Sequence, residues 1–148
     1  MRPITLTLAC AAALIATAAP AQAAVPKIQL VKVYYDSPGV DRRANSSLNG
    51  EYAVVRNTTR AAIDLEGWTI ADQTGYRYTF VPGQVLKAGK SLTLRTGQGT
   101  SGTSTVYWGR RAYVWNNDKD SAYVRDANGK IIDKCSYNSS YRDSVSCL

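Results

Sequence analysis

Side chains able to do chemistry are few in this chain, and one missing type decides most of the question. No His occurs among the 148 residues, which removes Ser-His-Asp and Cys-His catalysis, imidazole general bases and His-based zinc sites. Of the three Cys, Cys10 lies in an apolar leader while Cys135 and Cys147 stand near the C-terminal end. Two thiolates with no third Cys and no His fall short of a zinc ligand set. Glu occurs only as Glu51 and Glu66, and acid–base catalysis by carboxylates needs two acids facing one cleft with separated pKa values. Glu66 sits in a tight turn before Gly67 and Glu51 begins a strand, so both are expected to accept hydrogen bonds from loop backbone. Asp36, Asp41 and Glu51 border one long loop and could supply oxygen ligands to Ca²⁺, although no EF-hand spacing is present. The stretch from Gly83 to Ser91 looks like a phosphate loop, but five residues instead of four separate Gly83 from Gly89. The segment after it alternates as a strand, whereas a P-loop must open a helix. No nucleophile, metal centre or cofactor site emerges, so the chain is expected to be no enzyme and to need no cofactor.

The cations carry more information. Lys and Arg number 18 against 11 Asp and Glu, a net charge of +7. Arg42-Arg43 and Arg110-Arg111 fall in loops, and Arg56, Arg77, Arg95 and Arg125 fall at strand positions expected to face solvent. Arg holds phosphate bidentately and stacks on rings, so this surface suits nucleic acid, anionic wall polymers or acidic lipid. Arg42, Arg43, Arg110 and Arg111 are therefore the candidate polyanion-binding residues. The same excess would also serve a plain solvated surface that keeps edge strands from pairing with other chains. Tyr34, Tyr35, Tyr107, Tyr113, Tyr137 and Tyr141 could form an aromatic platform for sugars or bases, or occupy half-buried positions whose hydroxyls reach the surface.

Behind these residues stand an address and a framework. Met1-Arg2, an apolar run from Ile4 to Ala19 and the small-x-small site Ala21-Gln22-Ala23 read as a signal peptide over residues 1–23, cleaved after Ala23. The run is shorter than the roughly 20 residues a bilayer needs. Cys10 comes too early, and without the aliphatic residue three places before it, for a lipoprotein. The mature protein would be secreted, with no transmembrane segment. In an oxidising compartment Cys135 and Cys147 are expected to pair, closing a short loop that contributes on the order of 3 kcal/mol by the chain-entropy argument.

The rest reads as all-β, in short alternating runs separated by turn residues. Strands are expected over 28–35, 51–56, 67–71, 76–80, 91–95, 121–125 and 130–133. Tyr76, Tyr78 and Phe80 should share one inward face, and Trp68 should anchor the core. Gly97 to Ser104 is too rich in Gly and hydroxyls to pack and reads as a mobile loop. Asn128-Gly129 is the strongest hairpin signal, of the type I′ turn. This pattern fits an immunoglobulin-like β-sandwich, with a small barrel as the alternative that periodicity leaves open.

Several blocks follow one another in a recognisable order. They are Asp36-Ser37-Pro38-Gly39, Asn49-Gly50-Glu51-Tyr52, Arg56-Asn57-Thr58, Asp64-Leu65-Glu66-Gly67-Trp68-Thr69-Ile70 with Asp72, and Tyr78-Thr79-Phe80. Leu86-Lys87-Ala88-Gly89, Thr96-Gly97-Gln98-Gly99-Thr100, Tyr107-Trp108-Gly109, Val114-Trp115-Asn116-Asn117, and Asp126-Ala127-Asn128-Gly129 with Asp133 complete the series. The set resembles a lamin tail domain of the secreted bacterial kind over roughly residues 27–138. The resemblance implies an immunoglobulin-like sandwich used as an interaction module, without catalytic residues. In nuclear lamins the domain is associated with binding to proteins and DNA, and in exported bacterial proteins it often accompanies nucleases or other surface enzymes. The expected organisation is a signal peptide at 1–23, a lamin-tail-like sandwich at 24–138 and a tail at 139–148 tied back by the disulfide. Its expected partner is a protein or cell-envelope component, with extracellular DNA or an anionic wall polymer as the alternative.

Overall fold

The computed structural model describes residues 23–148. The expected leader at 1–23, with Cys10, lies outside the described residues except for Ala23. Along the chain run β1 (Ile28–Tyr34), the short helix α1 (Asn45–Leu48), β2 (Tyr52–Asn57), β3 (Ile63–Asp64), β4 (Thr69–Ala71) and β5 (Arg77–Thr79). After them come β6 (Val85–Leu86), β7 (Ser91–Arg95), β8 (Thr105–Tyr107), β9 (Lys119–Arg125), β10 (Ile131–Asn138) and β11 (Ser144–Ser146). A five-stranded sheet in the order β11-β1-β2-β7-β8 faces a four-stranded sheet in the order β10-β9-β4-β5, and the β3-β6 pair closes one side. This is an immunoglobulin-like β-sandwich.

Alternation explains most of the packing. Ala53 and Val55 of β2, Leu92 and Leu94 of β7, Val106 of β8, and Ala122 and Val124 of β9 are buried between the sheets with Ile70, Phe80 and Trp68. In β1 the period breaks. Strict alternation from Ile28 and Leu30 would point Lys32 and Tyr34 inward, but the register with β2 shifts between Leu30 and Lys32. This bulge at Val31 turns Val33 and Tyr35 into the core and Lys32 and Tyr34 to the outside. The Cys147 N–H donates to the Val31 carbonyl at 2.9 Å, so the bulge also receives the C-terminal segment.

The expected disulfide is present, Cys135 to Cys147 with Cα atoms 5.5 Å apart. It ties β10 of one sheet to the end of β11 in the other, so the tail is itself an edge strand paired with β1. Asp133 adds a second tie, its Oδ2 accepting the Leu30 N–H at 2.7 Å.

Three expectations change. The β9-β10 hairpin forms, but only Gly129 has positive φ, at 81°. Asp126 Oδ1 accepts the N–H groups of Asn128 and Lys130 at 3.0 Å each, and this local bonding gives a type I turn followed by a left-handed Gly in place of type I′. Tyr76 leaves the inward aromatic row and is 44% exposed, because its N–H is drawn to Asp72 Oδ1 at 2.7 Å in the tight β4-β5 turn. The Gly97 to Ser104 segment is tied down. Asn45 at the start of α1 and Asn49 just past its end both donate to the Gln98 carbonyl at 2.9 Å. Beyond it β8 runs parallel to β7.

Candidate binding faces

The buried carboxylates all hold the framework. Glu51 is fully buried and accepts the N–H groups of Val114 and Trp115, the latter at 2.7 Å. Burial pushes its pKa up to about 7 against the pull of those two amides. The buried Thr96 hydroxyl beside it also favours the charged form, though it lies outside hydrogen-bond limits. Asp120 accepts from Gln73, Asn116 and Ser121. Asp72 accepts from Thr74, Gly75 and Tyr76. Carboxylates saturated by backbone donors are structural brackets, with no room for a reacting atom.

Of the calcium candidates, Asp36 and Asp41 meet, both accepting from Asn117 Nδ2, at 3.0 and 3.4 Å. Burial, then Asp41 and Asp143, raises the Asp36 pKa. Glu51 turns inward to its amides and does not join them. Among the described residues no group of three or more Cys, Asp or Glu is placed to hold a metal.

The Arg pairs sit on adjoining loops. The Ser47 hydroxyl of α1, which follows the first loop, bonds the Tyr113 hydroxyl of the second at 2.6 Å, but the same junction carries Asp36 and Asp41. Arg42 lines an open groove of about 570 Å³ with Pro38, Val40 and Ser46, and Arg43 takes φ 56°. Arg110 turns elsewhere, its guanidinium 4.0 Å from the centre of the Tyr76 ring, beside Arg77 at the start of β5.

The aromatic candidates divide by layer. Tyr35 and Tyr137 stack inside, their ring centres 3.9 Å apart and their planes nearly parallel, and Tyr141 is 97% exposed. Tyr34 and Tyr107 lie on the outer face of the five-stranded sheet, where the register sets Tyr34, Tyr52, Arg95 and Tyr107 side by side on four strands. Tyr52 was not among the candidates, since only strand pairing brings it beside Tyr34. The outer side of the four-stranded sheet carries a second register row, Lys134, Tyr123, Ala71 and Arg77, in which Ala71 is itself buried. Arg125 and Lys134 both approach the Tyr123 ring, at 5.0 and 5.3 Å from its centre. Neither carboxylate of these strands faces that surface. Asp120 is buried, and Asp133 accepts from Leu30 and Lys134 N–H.

A sandwich with this strand order, an inward Leu65 and Trp68 around Gly67 and a buried Val114-Trp115 bracket has the parts that the ordered sequence blocks implied. The family model for the lamin tail domain matches residues 21–139. The chain belongs to the lamin tail domain family. No curated protein matches it. In this lamin tail domain the blocks that identify the family are framework: Glu51, Asp72, Trp115 and Asn57 are all buried, and Asn57 Nδ2 donates to the Ala61 and Leu86 carbonyls. The cations on its outer faces stand outside that framework. Lamin tail domains are non-catalytic immunoglobulin-like modules, and what distinguishes one from another is carried by the surface.

Proposed function

We propose that this lamin tail domain works outside the cell as a non-catalytic binding module that holds an anionic polymer of the envelope. The outer face of the four-stranded sheet is the contact surface. The observation that carries this reading is the set Lys134, Tyr123 and Arg77, aligned across the buried Ala71 with Arg125 beside it, on a face toward which no carboxylate of its strands points. Cations held over a ring keep their N–H groups available while losing less freedom on binding. Arg110, stacked on Tyr76, and Arg111 after it extend the surface past the β5 edge. Arg42 and Arg43 share their junction with Asp36 and Asp41 and contribute less. A secretory leader and the Cys135–Cys147 disulfide support an extracellular setting. The face is a flat sheet without a helix or ribbon to enter a groove, which favours a flexible polyol or sugar chain bearing charges over sequence readout of DNA.

The test is fluorescence anisotropy of the processed protein against labelled poly(glycerol phosphate) and a labelled DNA duplex, each titrated with salt. Binding to the polyol phosphate should weaken steeply with salt. Arg77→Ala with Lys134→Ala should flatten the log–log slope by about 1.4, two contacts at about 0.7 each for a flexible strand. No binding to either polymer at low salt refutes the reading, and tighter binding to the duplex replaces the polymer with DNA.

A further inference from the structure

The second cationic face lies on the other side of the molecule. On the five-stranded sheet the bulge at Val31 brings Lys32 and Tyr34 outward, and Tyr34 and Tyr52 stack with ring centres 5.3 Å apart. Lys32 Nζ stands 5.2 Å from the Tyr34 ring centre and Arg95 Cζ 5.4 Å from that of Tyr52. The two rings thus cover each other and meet a cation at each end. Their faces are occupied, so this row presents hydroxyl edges and N–H donors in place of a stacking platform for bases or sugars. Arg95 is held further by donating to the Asn49 carbonyl, which leaves most of its five N–H groups for an oxyanion in a fixed orientation. Arg56 stands fully outward on β2. The neighbouring carboxylates on this side are Asp143, which accepts from the Tyr34 hydroxyl at 3.3 Å at the margin of the face, and Asp36, near enough to act on Tyr34.

The two faces cannot serve one straight stretch of polymer. They point in opposite directions from a sandwich whose sheets stack about 10 Å apart, with side chains projecting beyond each. We propose that the module is a cross-linker: each molecule holds two segments of an anionic envelope polymer, one on the Lys32-Arg56-Arg95 face and one on the Arg77-Arg125-Lys134 face. This rests on the polyanion reading above and adds to it a second site and a consequence, the bundling of polymer chains. The occupant of the second face is argued from charge complementarity and from the chemistry it shares with the first, forked donors and hydroxyls suited to phosphate or carboxylate groups along a hydroxylated chain.

The experiment uses the secreted, oxidised protein. Isothermal titration with a short poly(glycerol phosphate) oligomer, repeated with an oligogalacturonate to separate phosphate from carboxylate sources, gives the number of oligomers bound. Light scattering with long polymer reports bundling. The expected results are two oligomers per protein, bundling at intermediate ratios that dissolves in excess protein, and binding to surface-immobilised polymer about a hundredfold tighter than to free oligomer. Lys32→Ala with Arg56→Ala, both at outward positions, should reduce the count to one, abolish bundling and bring the two affinities to about equality; Arg77→Ala with Lys134→Ala should do the same. A wild-type count of one with binding intact overturns cross-linking and leaves the binding reading standing. A count that stays at two in the Lys32/Arg56 variant overturns the assignment of the second face. No binding to either oligomer removes both readings.

Discussion

Glu51 makes the stability of this fold depend on pH in the direction opposite to ordinary acid unfolding. Its carboxyl is fully buried under Val114 and Trp115, and burial raises its pKa from 4.5 to about 7. In the unfolded chain the group gives up its proton near 4.5, whereas the folded protein keeps it until about 7. Between these values the native state binds more protons than the unfolded state, so stability is full below about 4.5 and falls as pH rises to about 7. At about 1.4 kcal/mol per pK unit, the loss across the window is on the order of 3 kcal/mol. No His titrates in this window to mask it. The perturbation is Glu51→Gln, which keeps an oxygen for the Val114 and Trp115 amides and cannot ionise. Urea unfolding followed by tryptophan fluorescence at steps from pH 4.5 to 8, with the disulfide intact, measures the effect. Wild type should lose about 3 kcal/mol across the window and the variant should stay flat. Wild-type stability that rises with pH, or a variant that keeps the wild-type slope, would refute the assignment of a buried, proton-holding carboxyl.

Two further outcomes follow from the framework. Cys135→Ser with Cys147→Ser should cost about 3 kcal/mol and release β11, seen as lost hydrogen-exchange protection there. The mass of the secreted wild type should be two hydrogens short of the reduced chain beginning at Ala24, and two alkylatable thiols would contradict this. Gly99→Ala should cost about 1–3 kcal/mol by overpacking, since the added methyl would collide with the Tyr107 ring. An unchanged urea midpoint would show that the Gly97 to Ser104 segment is free to move away.

Much of the framework was legible in single residues. Trp68 is buried as its β-rich setting implied, Glu51 accepts from loop backbone as a strand-initial acid in a loop-rich fold should, and Cys135 and Cys147 pair. The ordered blocks led to the lamin tail domain because they specify framework: a Gly at φ 75° before Trp68, Asp72 closing a turn, and an Asn-Gly hairpin. The surface was harder to see. Arg42, Arg43, Arg110 and Arg111 drew notice as adjacent pairs, but adjacency in the chain says little about which carboxylates share a junction, and Asp36 and Asp41 came with the first pair. Tyr52, Arg95, Lys134 and Arg77 carry the outer rows and show no pairing in sequence.

By itself, then, the amino-acid sequence determined what depends on neighbours along the chain: turns from Gly, Pro and Asn, strands from alternation, the exclusion of His chemistry, and a family from the order of its blocks. Tertiary structure alone decided which strands lie side by side and in what register, and so which cations and rings share a face. The physical reason is the period of two. A single extra residue at Val31 reverses the faces of all that follows in β1, putting Val33 and Tyr35 inside and Lys32 and Tyr34 outside. That bulge is held by pairing with β2 and by the Cys147 N–H on the Val31 carbonyl, contacts between segments that alternation within β1 cannot encode.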